Sequence, residues 1–369
     1  MKLYPARLEG RVTAPDSKSR LHRELIAQAL CGEYPVIEDP AADIAATQAA
    51  LAALRRGEAL IPCGESGSTL RFLLPVAAAM GRLGCTFTGA PRLLERPVPP
   101  GLPVARTARG WQITAPLAGG LYRVDGSQTS QTVSGLLLAL PLCGEAAAVE
   151  VSSGVSAGYI ALTCAVLRRY GIAVERRGDT YLIPAGQRYR PAPLEREGDW
   201  SAAAWYLAAN ALGAAVTVEG LSPDSAQPDR AITDYCRRLP RCIDISATPD
   251  LFPVLALLAA LRPGRVTRFT HCGPLRFKET DRLSTVAALL GQLGVEVRPA
   301  GEELELQGRE RLRGGAVLGP RGDHRMAFLA AFGALFCDAP LTLTDAACVR
   351  KSYPRFWADY AALGGRAEE

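Results

Sequence analysis

One local pattern recurs along this chain of 369 residues and limits the folds open to it. A Gly- or Ser-rich turn leads into an Ala/Leu-rich helical stretch. An Arg/Leu-Gly stop follows, and then an alternating strand. The clearest copies are residues 166–171 followed by 172–175 and 181–183, and residues 289–294 followed by 295–298 and 304–306. Each reads as helix, strand, turn, strand, with Gly178-Asp179 and Gly301-Glu302 at the turns. Gly171 and Gly294 lie 123 positions apart, which accommodates an α/β unit of roughly 60 residues counted twice. With 48% hydrophobic residues the chain can bury a large core, and its length predicts two domains.

Small-residue helix starts recur as well. They are Ser17-Lys18-Ser19, Ser66-Gly67-Ser68-Thr69, residues 127–131, residues 153–156, Asp199-Trp200-Ser201, Thr248-Pro249-Asp250 and Gly322-Asp323-His324-Arg325. Each precedes an apolar stretch. A helix N-terminus carries unpaired N–H groups and a partial positive charge, so it is a ready anion site. One such start is ordinary capping; seven, many with Lys, Arg or Ser, predict helix ends directed at a common anionic ligand. The net charge of +5, from 42 basic and 37 acidic residues, is too mild for a nucleic-acid coat and fits small anionic substrates. No basic start leads into an apolar leader, and apolar runs such as 254–261 fall short of the roughly 18 residues of a membrane span. The 10 cysteines are scattered without a C-x-x-C pair, which predicts thiols in a reducing cytoplasm rather than zinc or disulfides. His22, His271 and His324 form no metal-binding pattern.

The densest charged string is Lys278-Glu279-Thr280-Asp281-Arg282, just before the apolar positions Leu283, Val286, Leu289, Leu290 and Leu293. The spacing predicts a helix opening here, with Lys278 and Arg282 on one face and Glu279 one step round. Thr280 or Asp281 can cap it. Two cations could then hold an anion while a carboxyl transfers a proton. Taken alone, the string reads better as a solvated charged first turn, a preference that the other motifs overturn.

The segments 15–23 (PDSKSRLHR), 65–71 (ESGSTLR), 91–97 (PRLLERP), 125–131 (DGSQTSQ), 156–159 (SAGY), 197–199 (EGD), 249–250 (PD), 276–282 (RFKETDR), 323–326 (DHRM) and 349–354 (VRKSYP) occur in a specific order. Through them the chain resembles the 5-enolpyruvylshikimate-3-phosphate synthase family over nearly its whole length. That resemblance implies an α/β, two-domain enolpyruvyl transferase fold, an inside-out α/β barrel with three βαβαββ repeats per domain. The N-terminal domain would be 15–197 and the C-terminal domain 1–14 plus 198–369, with the active site in the cleft between them and the N-terminal strand in the C-terminal domain. Family members are usually longer, and the shortening falls at 54–64 and 239–244, where a strand hairpin is trimmed. The implied reaction moves the enolpyruvyl group of phosphoenolpyruvate (PEP) to the 5-hydroxyl of 3-phosphoshikimate by addition and then elimination of phosphate. No cofactor, metal, nucleic acid or membrane enters it, and a cytoplasmic monomer is expected.

By the same resemblance Lys18, Asp250 and Glu279 are catalytic. Asp250 takes the hydroxyl proton and Glu279 supplies one to PEP, though Asp250 after Pro249 also reads as a helix cap. Lys18, Ser19, Arg23, Thr129, Ser130, Gln131, Ser156, Tyr159, Asp250 and Lys278 would hold 3-phosphoshikimate. Lys18, Gly67, Arg71, Arg96, Gln131, Arg282, Arg325 and Lys351 would hold PEP, Gly67 by close backbone approach and the arginines by their planar fork. Capping would also explain Thr129, core packing Tyr159, and a plain turn Gly67. Glu65 and Pro274 stand where the family usually has asparagine. The related UDP-N-acetylglucosamine enolpyruvyl transferases carry a cysteine in the loop at 90–95, which has none here. RNA 3′-phosphate cyclases share the repeat, but no basic-aromatic stripe is visible. A non-catalytic sensor of shikimate metabolites would have no need of Lys18, Asp250 and Glu279 together.

Overall fold

The computed structural model describes residues 1–369 except Pro97, Pro100, Gln128, Gly154 and Val155. Pro97 of the 91–97 segment, Gln128 of 125–131, and Gly154 and Val155 of the 153–156 helix start thus lie outside the described residues. The chain forms two compact units, an N-terminal one of Lys18–Arg196 and a C-terminal one of Met1–Ser17 with Glu197–Glu369. The changeovers expected near Ala14 and Glu197 compare with Ser17/Lys18 and Arg196/Glu197 in this division. Within the C-terminal unit the Ser17 N–H donates to the Glu197 carbonyl at 2.6 Å and the Asp199 N–H to the Pro15 carbonyl at 2.8 Å, tying the two passages side by side.

The chain opens with β1 (Lys2–Tyr4) and β2 (Glu9–Thr13) in the C-terminal unit. The N-terminal unit then runs α1 (Lys18–Leu30), α2 (Ala42–Arg56), β3 (Leu60–Pro62), α3 (Gly67–Ala79), β4 (Thr86–Thr88), α4 (Pro91–Leu94), β5 (Val104–Arg106), β6 (Trp111–Ile113), β7 (Gly120–Asp125), α5 (Gln131–Ala139), β8 (Ala147–Ser152), α6 (Ala157–Arg169), β9 (Glu175–Arg177) and β10 (Thr180–Ile183). Back in the C-terminal unit follow α7 (Trp200–Asn210), β11 (Ala215–Glu219), α8 (Ile232–Arg237), β12 (Cys242–Asp244), α9 (Phe252–Ala260), β13 (Val266–Thr270), α10 (Arg282–Gln292), β14 (Glu296–Ala300), β15 (Glu303–Gln307), β16 (Val317–Leu318), α11 (His324–Ala334), β17 (Leu341–Leu343), α12 (Phe356–Ala362) and β18 (Arg366–Glu368).

Four copies of one βαβαββ motif emerge. Their sheets are ordered β3-β4-β6-β5, β7-β8-β10-β9, β12-β13-β15-β14 and β16-β17-β1-β18. In each, the first two strands are parallel and the other pairings antiparallel. The fourth sheet is completed by β1 from the start of the chain. Two copies are reduced. The copy β2-α7-β11-α8 keeps only the parallel pair β2–β11, and α1-α2 keeps only helices. Helix α2 ends at Arg56 and β3 begins at Leu60; α8 ends at Arg237 and β12 begins at Cys242. Neither gap has room for a strand pair, so these are the trimmed hairpins.

Local sequence explains the repeat. After α6 the Gly171 N–H bonds the Arg168 carbonyl and the Ile172 N–H the Leu167 carbonyl; after α10 Gly294 and Val295 do the same to Gly291 and Leu290. Gly171 (φ 76°) and Gly294 (φ 81°) take the left-handed conformation this cap requires. Ile172 and Val295 therefore belong to helix caps. The strands expected from 172 and 295 begin later, at Glu175 and Glu296. In β10 and β15 the alternation holds: Tyr181, Ile183, Leu304 and Leu306 point inward.

The helices α5, α9 and α11 are buried on nearly every face, as sequences apolar all round require. They form the cores around which the sheets are laid. Helix α3 carries Pro75, which cannot donate to the Arg71 carbonyl one turn earlier. Gly135 of α5 packs against that carbonyl: a Cβ there would lie 2.1 Å from the Arg71 oxygen. Gly135→Ala must push α3 and α5 apart, destabilising the unit by about 1–3 kcal/mol. Gly291→Ala on α10, where a Cβ would meet nothing within 4 Å, should stabilise by about 0.5–1 kcal/mol. Urea unfolding midpoints of the two variants test the contrast.

Candidate active site

In the C-terminal unit, Arg282 opens α10 and is almost wholly buried. Its Nε donates to Asp323 at 2.8 Å, one terminal nitrogen to Asp250 at 2.9 Å, and the other to Glu279 at 2.6 Å. Asp323 caps α11 through the Arg325 N–H, and Asp281 caps α10 through the Ser284 N–H. Helix α10 therefore begins at Arg282, and residues 278–281 precede it. The helical face expected for Lys278 and Arg282 is replaced by convergence on one carboxylate. Lys278 Nζ lies 3.5 Å and Arg282 2.9 Å from the same Asp250 oxygen.

Asp250 sits in a 3-10 turn, Pro249–Leu251, and caps no helix. Its carboxylate and its carbonyl both accept from Arg325, each at 3.0 Å. Burial alone would raise the Asp250 pKa, but Arg325, Lys278 and Arg282 outweigh it and hold the carboxyl well below the usual carboxylate range. Burial likewise works against the Arg282 charge, and Asp323, Glu279 and Asp250 more than restore it. Lys351, itself buried, ends the 3-10 turn Ala347–Lys351 in the same unit.

The N-terminal unit carries a second group. Lys18 Nζ is 2.7 Å from Asp43 at the start of α2. Arg23 is buried across α1, α5 and α6. It donates to the Ser19 carbonyl at 2.5 Å, Thr163 Oγ1 at 2.7 Å, the Tyr159 carbonyl at 3.2 Å and Ser134 Oγ at 3.3 Å, and stacks 4.8 Å over Phe72. These are neutral oxygens, and burial draws its pKa down to about 10, still well above neutrality. Ser66 caps α3, so Gly67 stands at its first position. A Cβ on Gly67 would lie 3.0 Å from an Arg71 nitrogen, 3.3 Å from an Arg96 nitrogen and 3.4 Å from Gln131 Oε1. Arg71 donates to that Gln131 oxygen at 2.7 Å, and Gln131 donates to Ser68 at 3.1 Å. Arg96 Nε is buried without a partner among the described residues. Thr129 Oγ1 accepts the Gln131 N–H at 3.2 Å, and Ser130, at the N-cap position of α5, is buried beside it. Ser156, also buried, precedes α6 at φ 60°, a conformation non-glycine residues rarely adopt. Tyr159 is buried on the first turn of α6, Ser19 is half-buried, and Glu65 is exposed. Pro274 lies in the 3-10 turn Gly273–Phe277 before Lys278.

Two clusters thus gather most of the expected residues: Gly67, Arg71, Arg96 and Gln131 in one unit, and Asp250, Lys278, Glu279, Arg282 and Arg325 in the other. Spacing gave no signal for three positioning groups. Asp43 lies 25 residues from Lys18, and Asp323 lies 41 from Arg282. The Ser134–Thr163 hydroxyl pair (2.7 Å) under Arg23 sits mid-helix in apolar runs.

The EPSP synthase (3-phosphoshikimate 1-carboxyvinyltransferase) family model matches residues 54–241 and 237–360. A 3-phosphoshikimate 1-carboxyvinyltransferase of Clostridium kluyveri is 35% identical over 423 aligned positions, covering all of this chain and 98% of the relative. One from Clostridium acetobutylicum is 31% identical over 430, with the same coverage. The fold matches the EPSP synthase structure from Acinetobacter baumannii at TM-score 0.76 and 20% identity, covering 98% of each chain. It also matches the enolpyruvyl transferase NikO from Streptomyces tendae at TM-score 0.71 and 18% identity, covering 99% of this chain and 97% of NikO. With matches that span the full chain and both clusters in place, the chain belongs to the EPSP synthase family.

Proposed function

We propose that the chain transfers the enolpyruvyl group of PEP to the 5-hydroxyl of 3-phosphoshikimate, yielding 5-enolpyruvylshikimate 3-phosphate and phosphate, on the route to chorismate and the aromatic amino acids. The observation that carries this reading is Asp250 held ionised by Lys278, Arg282 and Arg325, with Glu279 on the same arginine. Two multiply charged anions must be bound together, a hydroxyl must lose a proton and a carbon must gain one. Fixed cations meet the first need and a carboxylate pair the other two.

In the addition step Asp250 accepts the 5-hydroxyl proton as the oxygen attacks C2 of PEP, and Glu279 delivers a proton to C3. In elimination the C3 methyl returns a proton to a carboxylate while the C2–O bond to phosphate breaks. Substrate charge tunes Asp250. While Arg282 and Arg325 are engaged with protein groups, they hold Asp250 too acidic to be a good base. Once they also neutralise the carboxylate and phosphate of PEP, Asp250 binds a proton more readily. Lys18 contacts both substrates, Arg71, Arg96, Gln131 and Lys351 complete the PEP site, and Ser19, Arg23, Thr129, Ser130, Ser156 and Tyr159 hold the shikimate ring and its phosphate. One chain supplies every group named, so a monomer suffices. No described helix is long and apolar enough to cross a membrane.

A coupled phosphate-release assay tests the reading. Release with PEP should require 3-phosphoshikimate and should not occur with UDP-N-acetylglucosamine. Lys18→Met and Glu279→Gln should stay folded by circular dichroism yet lose turnover by roughly 100-fold or more. Near-normal release by either purified variant would sink the assignment.

The same pocket predicts a response to glyphosate, whose phosphonate and carboxylate suit the cations proposed for PEP. Inhibition should be competitive with PEP, because Arg96, Arg282, Arg325 and Lys351 would serve both. A methyl group at position 67 presses toward the Arg71 and Arg96 guanidinia at 3.0 and 3.3 Å. Gly67→Ala should therefore raise the inhibition constant more than the KM for PEP. Noncompetitive inhibition, or an equal effect on both ligands, would show that this picture of the pocket is wrong.

A further inference from the structure

Helices α1 and α2 are joined by two rungs one turn apart. The upper rung is Lys18–Asp43, at 2.7 Å. Four residues further along each helix, His22 Nδ1 lies 2.7 Å from Thr47 Oγ1. Both members of the lower rung are fully buried. From Thr47 the chain of hydroxyls continues to Thr69 Oγ1 at 2.6 Å and from there to Ser66 Oγ at 2.7 Å. Ser66 is the cap of α3, and its oxygen also accepts the Thr69 N–H at 3.2 Å. Gly67 is the next residue.

Counting hydrogens fixes the direction. Each hydroxyl has one proton to give. The Thr69 hydroxyl donates to Ser66, so Thr47 must donate to Thr69, and the His22 Nδ1–H must donate to Thr47. That leaves Nε2 as the unprotonated nitrogen, which suits its position, buried and without a partner among the described residues. Burial draws the His22 pKa down to about 3, so the ring stays neutral at any working pH. His22 also packs edge-on against Phe72 of α3 at 6.3 Å.

We propose that His22, acting through Thr47 and Thr69, is a positioning residue that fixes the start of α3, and with it the Gly67 backbone, against the Lys18–Asp43 pair. This rests on the reading of Gly67 and Lys18 as part of the PEP site. The relay touches none of the groups expected to hold 3-phosphoshikimate at α5 and α6. On α1, Lys18 keeps its own bond to Asp43 and Arg23 its bonds to α5 and α6, so loss of the relay should weaken PEP more than 3-phosphoshikimate.

The test uses Thr47→Val, which keeps shape and removes the hydroxyl, His22→Phe, which keeps a ring against Phe72, and His22→Asn, which keeps an N–H at the Nδ1 position. Thr47→Val and His22→Phe should raise the KM for PEP about tenfold and leave that for 3-phosphoshikimate within about twofold, the loss expected for one or two buried hydrogen bonds. His22→Asn should stay within about threefold of the parent. Hydrogen exchange without substrates should quicken over residues 66–72 and not over 132–139. If Thr47→Val leaves both the PEP KM and exchange at 66–72 unchanged, or raises both KM values alike, the proposal is overturned, even should His22→Phe fail to fold. Absence of phosphate release by the parent protein would instead defeat the enzymatic reading, and exchange at 66–72 would still decide the positioning role.

Discussion

Arg282 ties together three pieces of backbone that are far apart in the sequence. Its guanidinium is bonded to Asp250 before α9, to Glu279 before α10 and to Asp323 at the cap of α11. A charge buried this deeply must be paired, and removing one partner of such a cluster typically costs about 3–5 kcal/mol. Apolar residues of similar volume could stabilise the same junction as well. They could not present two carboxylates and two further cations, Lys278 and Arg325, around one point. The cluster is a geometric device that locks three helix starts in one orientation.

The N-terminal unit handles its buried cation differently. Arg23 is surrounded by two carbonyls and two hydroxyls, with no carboxylate within salt-bridge distance among the described residues. Its charge is solvated by dipoles and left uncancelled, the state that favours binding an anion. Arg282 is the opposite case, fully neutralised by protein carboxylates. An anion arriving there must share the guanidinium with them. The two buried arginines are thus in opposite electrostatic states, one solvated by dipoles and one paired with carboxylates.

The repeat was legible in the sequence because its signals are local: a glycine in the left-handed region after α6 and after α10, alternating strands, and a two-residue turn. The strand starts were misplaced because Ile172 and Val295 look like strand residues yet close helix caps. At residues 278–281 the charged string looked helical because its spacing is helical. Asp281 is the better cap, so the helix waits until Arg282. The partners Asp43 for Lys18 and Asp323 for Arg282 were illegible for a different reason. They are set by how helices pack, and sequence periodicity within one helix carries no information about the carboxylate that another will bring.

The two reduced repeats lose strands and keep their helix starts. In the complete copies, the strand pair lost elsewhere forms one edge of the sheet, as β5–β6 and β14–β15 do. The groups proposed to handle substrate sit at the helix starts and the turns that precede them. Helix α1 retains Lys18, Ser19 and Arg23 although its own copy has no strands at all. What replaces the missing sheet is side-chain bonding between helices: the Lys18–Asp43 pair, the His22–Thr47 rung, and Arg23 spread over α5 and α6. A sheet fixes helix starts through the strands that lead into them. Where that support is gone, buried polar contacts between neighbouring helices hold the same starts in register.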